Sequence, residues 1–226
     1  MSYTAQAEKI ARALLEEPLP RRWAHVQGVA GTAWDLSRVL GGKAELLTAA
    51  AVLHDIGYSP GLRDCGFHPL DGARYLRDVQ HADGLLCRLV AHHSCAIIEA
   101  EEYGLAADLA REFKPAPRGL TDALIYCDMT TGPDGQRMTV EQRLADIRAR
   151  YGPAHPVTRA LQRSAPHLTA ATNRVGRRLG ARTKNPRRIR RARALGCCVT
   201  LATKHLLPPI VSTAMAALSR PPATGS

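Results

Sequence analysis

Imidazole and carboxylate side chains fall at or near the ends of several apolar, helix-forming stretches of this 226-residue chain. Imidazole nitrogens and carboxylate oxygens, with no thiolate among them, suit Mn, Fe, Co, Zn or Mg as ligands. The pattern therefore favours a divalent metal site, although it does not identify the metal. In chain order the candidates are His25, the adjacent His54 and Asp55, His68, the adjacent His92 and His93, and Asp128.

The stretch 51–57 carries the clearest local signal, because its small apolar residues end in His54 and Asp55 and are followed by Gly57. Adjacent side chains in the middle of a helix diverge by about 100°, but at the last turn both can converge on one ion. Gly57 is expected to end the helix, since glycine accepts the left-handed backbone of helix ends. Taken alone, the dipeptide favours a capped core helix with a polar end. The other histidines and acids shift the balance to a metal site.

Hydrophobic periodicity predicts an all-α fold that positions these side chains. Apolar residues recur at helical spacing, and no segment alternates as a half-buried strand would. The low aromatic content of 4% leaves Ala, Leu and Val to build the core, which suits tightly packed helices. Neither a P-loop nor a dinucleotide-binding fingerprint is present. Helices are predicted over residues 3–17, 21–40, 44–54, 68–79, 85–93, 96–113, 120–129, 140–151 and 157–180.

Charge divides the chain into two predicted regions near Asn173. Residues 1–173 hold 19 Lys and Arg against 20 Asp and Glu, whereas residues 174–226 hold 12 basic residues and no acid. The first region is predicted to be the folded domain and the second a basic, flexible tail. Ten basic residues between positions 174 and 193 favour contact with nucleic acid or an anionic surface. A solvated arm without a partner is the alternative.

Cysteine usage and hydropathy favour a cytoplasmic protein. The six cysteines show no metal-type CxxC spacing, and the first residues carry no apolar signal core, so free thiols in a reducing compartment are expected. Residues 194–218 are mildly apolar, but Lys204, His205 and the Pro208-Pro209 pair interrupt them. No transmembrane segment is therefore predicted.

The ordered set His25, His54-Asp55 and Asp128 resembles the HD-domain superfamily of metal-dependent phosphohydrolases. That family carries a His, then a His-Asp pair, then a distant Asp on a helical bundle. The resemblance covers about residues 15–155. It implies an HD-domain helical bundle, a divalent metal held by these four side chains, and the hydrolysis of a phosphorylated substrate.

A finer resemblance is to the binuclear bacterial diadenosine-tetraphosphate hydrolases. Their motifs are similar to Arg22-x-x-His25, to His54-Asp55-Ile56, to a His before Gly72-Ala73, and to His93-Ser94. This resemblance implies two ions, one held by His25, His54, Asp55 and Asp128, and the other by His68, His93 or its neighbour His92, and a shared Asp55. Many relatives have a Lys soon after His-Asp, where this chain has Tyr58 and Ser59. Arg22 and Arg63 are the candidates to replace its contact with phosphate.

The expected function is hydrolysis of a phosphate ester or anhydride of a nucleotide by a metal-activated water. In this hypothesis Asp55 bridges the ions, His68 protonates the leaving oxygen, and Arg22 contacts the phosphate. Two alternatives stay open. Some HD proteins with a similar ligand set are di-iron oxygenases of small polyols or phosphonates, and a chain with a vestigial site could be a non-catalytic nucleotide- or nucleic-acid-binding module.

Overall fold

The computed structural model describes residues 2–40 and 43–183, and within them the fold is all-α, as predicted. The only β-type pairing in this part of the chain is an isolated bridge between Thr131 and Arg137. The α-helices of the described residues are α1 (Tyr3–Leu15), α2 (Pro20–Leu40), α3 (Ala44–Leu53), α4 (His68–Asp78), α5 (Gly84–Ala91), α6 (Ala96–Glu102), α7 (Ala106–Glu112), α8 (Arg118–Met129), α9 (Val140–Tyr151) and α10 (Pro156–Thr183).

Helix α3 lies at the centre of the bundle and packs against α1, α2, α5 and α8. Every residue from Leu46 to Leu53 is buried, and Ala49, Ala50 and Ala51 are fully buried. Small side chains let the neighbouring helices approach α3 closely, which suits a core with few aromatic residues. The His-Asp pair that follows α3 is therefore delivered to the interior of the domain.

Helix α8 separates two hydrophobic clusters. Leu124 and Cys127 face the main core, which also contains residues of α1 to α7. Ile125 and Met129 face a smaller cluster formed with α9 and α10. Asp128 lies between these two faces, so α8 carries the carboxylate to the junction of the clusters.

The prediction of one helix over residues 96–113 is wrong. The chain forms two short helices, α6 and α7, separated by Tyr103, Gly104 and Leu105. Gly104 adopts a φ of +71°, a left-handed conformation that ends a helix and that glycine adopts without steric cost. The helical spacing continued across this break because the residues on both sides still face the same core.

Helix α10 runs past Asn173, the position of the predicted domain boundary, and ends at Thr183. Arg174 donates two hydrogen bonds of 2.8 Å to Asp122, and Val175 is buried in the main core. The first residues of the basic segment therefore pack on the bundle. The rest of the predicted tail, residues 184–226, lies outside the described residues. None of the described helices has the length and hydropathy needed to cross a membrane.

Candidate metal centre

The His-Asp pair lies at a sharp change of chain direction. His54 follows the last residue of α3, and Asp55 precedes a 3-10 helix over Ile56–Tyr58. Gly57 has no left-handed backbone, contrary to the sequence prediction. A Cβ atom at Gly57 would lie 2.0 Å from the carbonyl oxygen of His68. Glycine is needed here because the backbone of α4 passes directly against it, and this contact brings His68 next to Asp55.

His25, His54 and Asp128 form the first group of side chains that could hold a metal ion, and we call it the inner group. His25 Nε2 lies 3.1 Å from Asp128 Oδ1, and His54 Nε2 lies 4.0 Å from the same oxygen. All three residues are buried, and they come from α2, the end of α3 and the last turn of α8.

Asp55, His68 and His93 form a second such group, which we call the outer group. His68 Nε2 and His93 Nε2 are 3.2 Å apart, and they lie 3.5 and 3.7 Å from Asp55 Oδ1. His68 is the first residue of α4, and His93 begins a 3-10 helix after α5. The ligand atoms in each group lie within 4.8 Å of one another.

Asp55 connects the two groups through its two carboxylate oxygens. Oδ1 faces His68 and His93, whereas Oδ2 lies 3.4 Å from His54 Nε2 and 3.9 Å from His25 Nε2. Arg22 Nη1 donates a 2.6 Å hydrogen bond to Oδ2. A carboxylate oxygen has two acceptor sites, so this hydrogen bond leaves Oδ2 able to bind a cation as well.

Backbone carbonyls orient three of the histidine rings. His25 Nδ1 donates to the Gly132 carbonyl at 2.9 Å, His54 Nδ1 to Ala51 at 2.8 Å, and His93 Nδ1 to Val90 at 2.7 Å. A carbonyl only accepts hydrogen bonds, so each Nδ1 carries a proton and each Nε2 is the nitrogen that can bind a metal ion. The carbonyls of Ala51 and Val90 are free because α3 and α5 end there.

These donors fit a divalent metal ion by their own chemistry. His54 Nε2 is fully buried and has no hydrogen-bond partner among the described residues, although Asp55 and Asp128 lie 3.4 and 4.0 Å from it. An unsatisfied buried polar atom costs about 1–3 kcal/mol, and coordination of a cation removes that cost. Histidines whose second nitrogen is held by a carbonyl, together with carboxylates, are the usual surroundings of such ions.

Electrostatics keep both carboxylates ionised. Burial alone would raise the pKa of Asp55, but the neighbouring His54 and Arg22 outweigh it and hold the pKa well below its usual range. Burial also opposes ionisation of Asp128, and the hydrogen bond from His25 lowers its pKa overall. Burial lowers the pKa of His68 and of His93, which favours the neutral rings that metal binding requires.

A comparison with protein-family models matches residues 22–147 to the HD domain. This range is more than half of the chain and includes all six side chains of the two groups. The chain belongs to the HD domain family. No curated protein matches it, and no solved structure does.

The structure does not bring every predicted site residue of the HD domain to the centre. His92 Nε2 donates a 2.7 Å hydrogen bond to the carbonyl of Phe113, and His92 belongs to neither group, whereas the adjacent His93 does. Arg63 is exposed after the 3-10 helix Pro60–Leu62 and does not line the cavity beside the two groups. Arg22 lies at the centre, against Asp55.

Arg143 of α9 is a buried residue of the centre that sequence analysis missed. Its Nη2 atom lies 3.4 Å from His25 Nε2 and 3.6 Å from Asp128 Oδ1, and no described residue hydrogen-bonds its buried Nε atom. An arginine in an amphipathic helix is usually predicted to lie on the solvent-exposed face. Arg143 points inward because α9 packs against α8, and no feature of the local sequence indicates this.

A strained turn after α5 also contributes to the HD domain centre. Ser94 and Cys95 both adopt positive φ values, +47° and +63°. These conformations are uncommon outside glycine and concentrate at functional sites. The turn directs the Ser94 hydroxyl to Asp128 Oδ2, to which it donates a hydrogen bond. This hydrogen bond orients the Asp128 carboxylate through Oδ2, and Oδ1 faces His25 and His54.

A cavity of about 90 Å³ opens beside the two groups. The side of the cavity next to the two groups contains Asp55, His68, His93 and Asp128. Glu99 of α6 also lines it and accepts no hydrogen bond from the described residues. The opposite wall comes from α9 and α10 and includes Arg150, Tyr151, Leu161, Ser164 and Leu168, all beyond the matched range of the HD domain.

Proposed function

We propose that this HD domain is a metal-dependent phosphohydrolase that cleaves a phosphate ester or anhydride. The observation that supports this best is the sharing of Asp55 between two groups of metal-binding side chains, one facing each carboxylate oxygen. In this proposal His25, His54, Asp55 and Asp128 hold one ion, and Asp55, His68 and His93 hold the other. When bound, two divalent ions would supply a metal-activated water and neutralise phosphoryl oxygens.

Charge at the centre favours an anionic substrate. Two carboxylates, Asp55 and Asp128, face two guanidinium groups, Arg22 and Arg143. Two divalent cations added to this set would leave it strongly positive, and a positive cleft attracts phosphorylated molecules. Guanidinium groups recognise phosphate oxygens through paired N–H donors. In this proposal Arg22, rather than Tyr58, contacts the phosphate of the substrate. Arg143 is positioned to add a second contact.

His68 is the proposed proton donor to the leaving oxygen. It lines the cavity, and its side chain is the most exposed of the four histidines at the centre. Water would attack phosphorus and release a proton to solvent, and the bond from phosphorus to the leaving oxygen would break. His68 would give a proton to that oxygen from Nδ1, because its Nε2 faces the outer group. Walls from α9 and α10 would exclude bulk water from the reacting group.

The nucleotide substrate expected from the diadenosine-tetraphosphate hydrolase-like motifs remains a proposal. Pockets that enclose whole organic ligands usually measure about 300–1,000 Å³, more than the 90 Å³ found beside the metal groups. A nucleotide would therefore place its phosphoryl group in the cavity and keep its nucleoside at the opening. The same size limit also suits small phosphorylated molecules.

A substrate panel with defined metals tests the proposal. The protein would be stripped with chelator, reloaded with Mn, Fe, Co, Zn or Mg in turn, and assayed on p-nitrophenyl phosphate, nucleoside mono- and triphosphates, and dinucleoside tetraphosphates. We expect metal-dependent release of phosphate or nucleotide from at least one substrate. His93→Gln should abolish this release, whereas His92→Gln, next in the chain, should retain it. No metal-dependent hydrolysis with any metal would refute the proposal.

Two features of the centre suit a di-iron oxygenase equally well. The small cavity and the all-nitrogen-and-oxygen donor set suit a small polyol or phosphonate as well as a phosphate ester. The two functions differ in their use of oxygen. Iron retained through purification and oxygen consumption with such substrates would support the oxygenase, and hydrolysis under anaerobic conditions with Mn or Mg would exclude it.

A further inference from the structure

Tyr58 contacts both His68 and Arg22 beside the outer group. Its ring stacks on the imidazole of His68, with 3.9 Å between the ring centroids and 17° between the planes. Arg22 Cζ lies 4.0 Å from the centroid of the same ring. Aromatic stacking and cation–π contact therefore act on one side chain.

Both His68 and Arg22 contact Asp55. Arg22 Nη1 donates to Oδ2 at 2.6 Å, and His68 Nε2 lies 3.5 Å from Oδ1. The tyrosine ring thus holds two groups that meet the two oxygens of the proposed bridging carboxylate. Any tilt of the ring would move both contacts together.

His68 depends on this stack more than the other histidines of the centre depend on their neighbours' rings. His25, His54 and His93 are each held by a hydrogen bond from Nδ1 to a backbone carbonyl. Within the described residues, no backbone or side-chain group hydrogen-bonds His68 Nδ1. The rings of Phe67 and His93 are farther from the His68 ring than that of Tyr58, at 6.1 and 5.1 Å between centroids.

We propose that Tyr58 is a positioning residue that holds His68 and Arg22 against Asp55 and thereby sets the affinity of the outer ion. The inference rests on the binuclear centre of the proposed function. It assigns a role to a residue that has none in the proposed function. The aromatic face carries this role, because the Tyr58 hydroxyl makes no hydrogen bond with the described residues.

Metal titration of matched variants tests this role. Chelator-treated wild-type protein, Tyr58→Phe, Tyr58→Leu and Tyr58→Met would each be titrated with Mn²⁺, with free Mn²⁺ followed by electron paramagnetic resonance. Met retains most of the side-chain volume and serves if Leu lowers folding yield. Tyr103→Leu, at an aromatic residue outside the centre, is the control for loss of a ring.

We expect Tyr58→Leu and Tyr58→Met to weaken the second Mn²⁺ about 10- to 100-fold, the usual cost of losing a group that orients a metal ligand. The first Mn²⁺ should bind as in wild type, and Tyr58→Phe should restore the second. A merely structural role would weaken both ions or neither.

Three results would overturn the inference. Wild-type affinity for the second ion in both Leu and Met variants would show that the ring does not position His68. Equal losses in Phe and Leu would assign the effect to the hydroxyl. Wild-type protein that binds fewer than two ions would overturn the binuclear centre itself, whereas the first two results leave the proposed function intact.

Discussion

The inner and outer groups use the same residue types but are built differently. His25, His54 and Asp128 are 1%, 0% and 7% exposed and come from helices that pack on one another in the core. Both inner histidines are oriented by backbone carbonyls. In the outer group only His93 has such a bond, and His68 is held by the Tyr58 ring.

This difference predicts an order of affinity. Ligands fixed by buried backbone lose little freedom when an ion binds, whereas a ring held by side-chain contacts must be immobilised in part. The inner ion should therefore bind more tightly than the outer ion. Asp55 contacts both groups, so a substitution of Asp55 should affect the binding of both ions.

Removal of Asp55 should have the largest effect, because it breaks both groups at once. Asp55→Ala should abolish binding of both ions and hydrolysis, and metal analysis of the purified variant measures this directly. Helical content by circular dichroism should stay largely intact. Asp64→Ala, at an exposed carboxylate nine residues along, is the control. Full metal occupancy in Asp55→Ala would show that the two groups do not bind metal.

Substitution of one histidine from each group should separate the two sites. His68→Ala should lower the stoichiometry from about two ions toward one and reduce hydrolysis steeply, while the tight ion stays bound. His25→Ala should instead remove the tight ion. Titration with Mn²⁺ distinguishes these results. Loss of both ions in His68→Ala would mean that the groups form one inseparable site and that the proposed order of affinity is wrong.

Glu99 lies in the cavity outside both groups, and its effect should appear in stability. Burial raises the pKa of Glu99 from 4.5 to about 7, and the nearby Asp55 adds to this. The unfolded chain therefore releases this proton first, and stability falls as pH rises from about 4.5 to 7. The Glu99→Gln variant has no such proton to release. The free energy of unfolding of the variant, relative to that of wild type, should therefore increase by on the order of 3 kcal/mol between pH 4.5 and pH 7.

Urea unfolding of chelator-treated protein at pH 5 and pH 8 measures the Glu99 effect. The difference between wild type and Glu99→Gln should be larger at pH 8, where the wild-type carboxylate is ionised in a half-buried position. Glu101→Gln, at an exposed position of the same helix, is the control. An equal difference at both pH values would show that Glu99 is not held protonated by the fold.

Removal of residues 184–226 should have the smallest effect on either group. A chain ending at Thr183 keeps α10, including the Arg174–Asp122 pair and the buried Val175. It should retain both ions and hydrolysis and lose only salt-dependent binding to DNA or anionic vesicles. A chain ending at residue 173 should remain folded but be less stable by about 1–3 kcal/mol. Loss of metal or turnover on ending at Thr183 would place the tail in the site.

The outline of the fold was readable from the sequence because helical periodicity records which face of each segment is buried. Most helix ends of the structure lie within a few residues of the predicted ones, as for 140–151, where Thr139 and Gln142 form a capping box. The break at Gly104 was missed, since a buried face continues on both sides of it. The donors of the centre were also proposed from sequence, because they fall near predicted helix ends and their order resembles that of HD-domain proteins.

Tertiary structure decided what depends on contacts between distant segments. Only the packing of α5 against its neighbours directs His92 to the Phe113 carbonyl and His93 to the centre. Gly57 is required by the close passage of α4, and Arg143 turns inward because α9 packs on α8. The sequence by itself determined the helices and the chemistry of their ends, because these follow from local spacing and residue type. The orientation of each ring toward Asp55 was decided by the fold, because it depends on carbonyls and rings far along the chain.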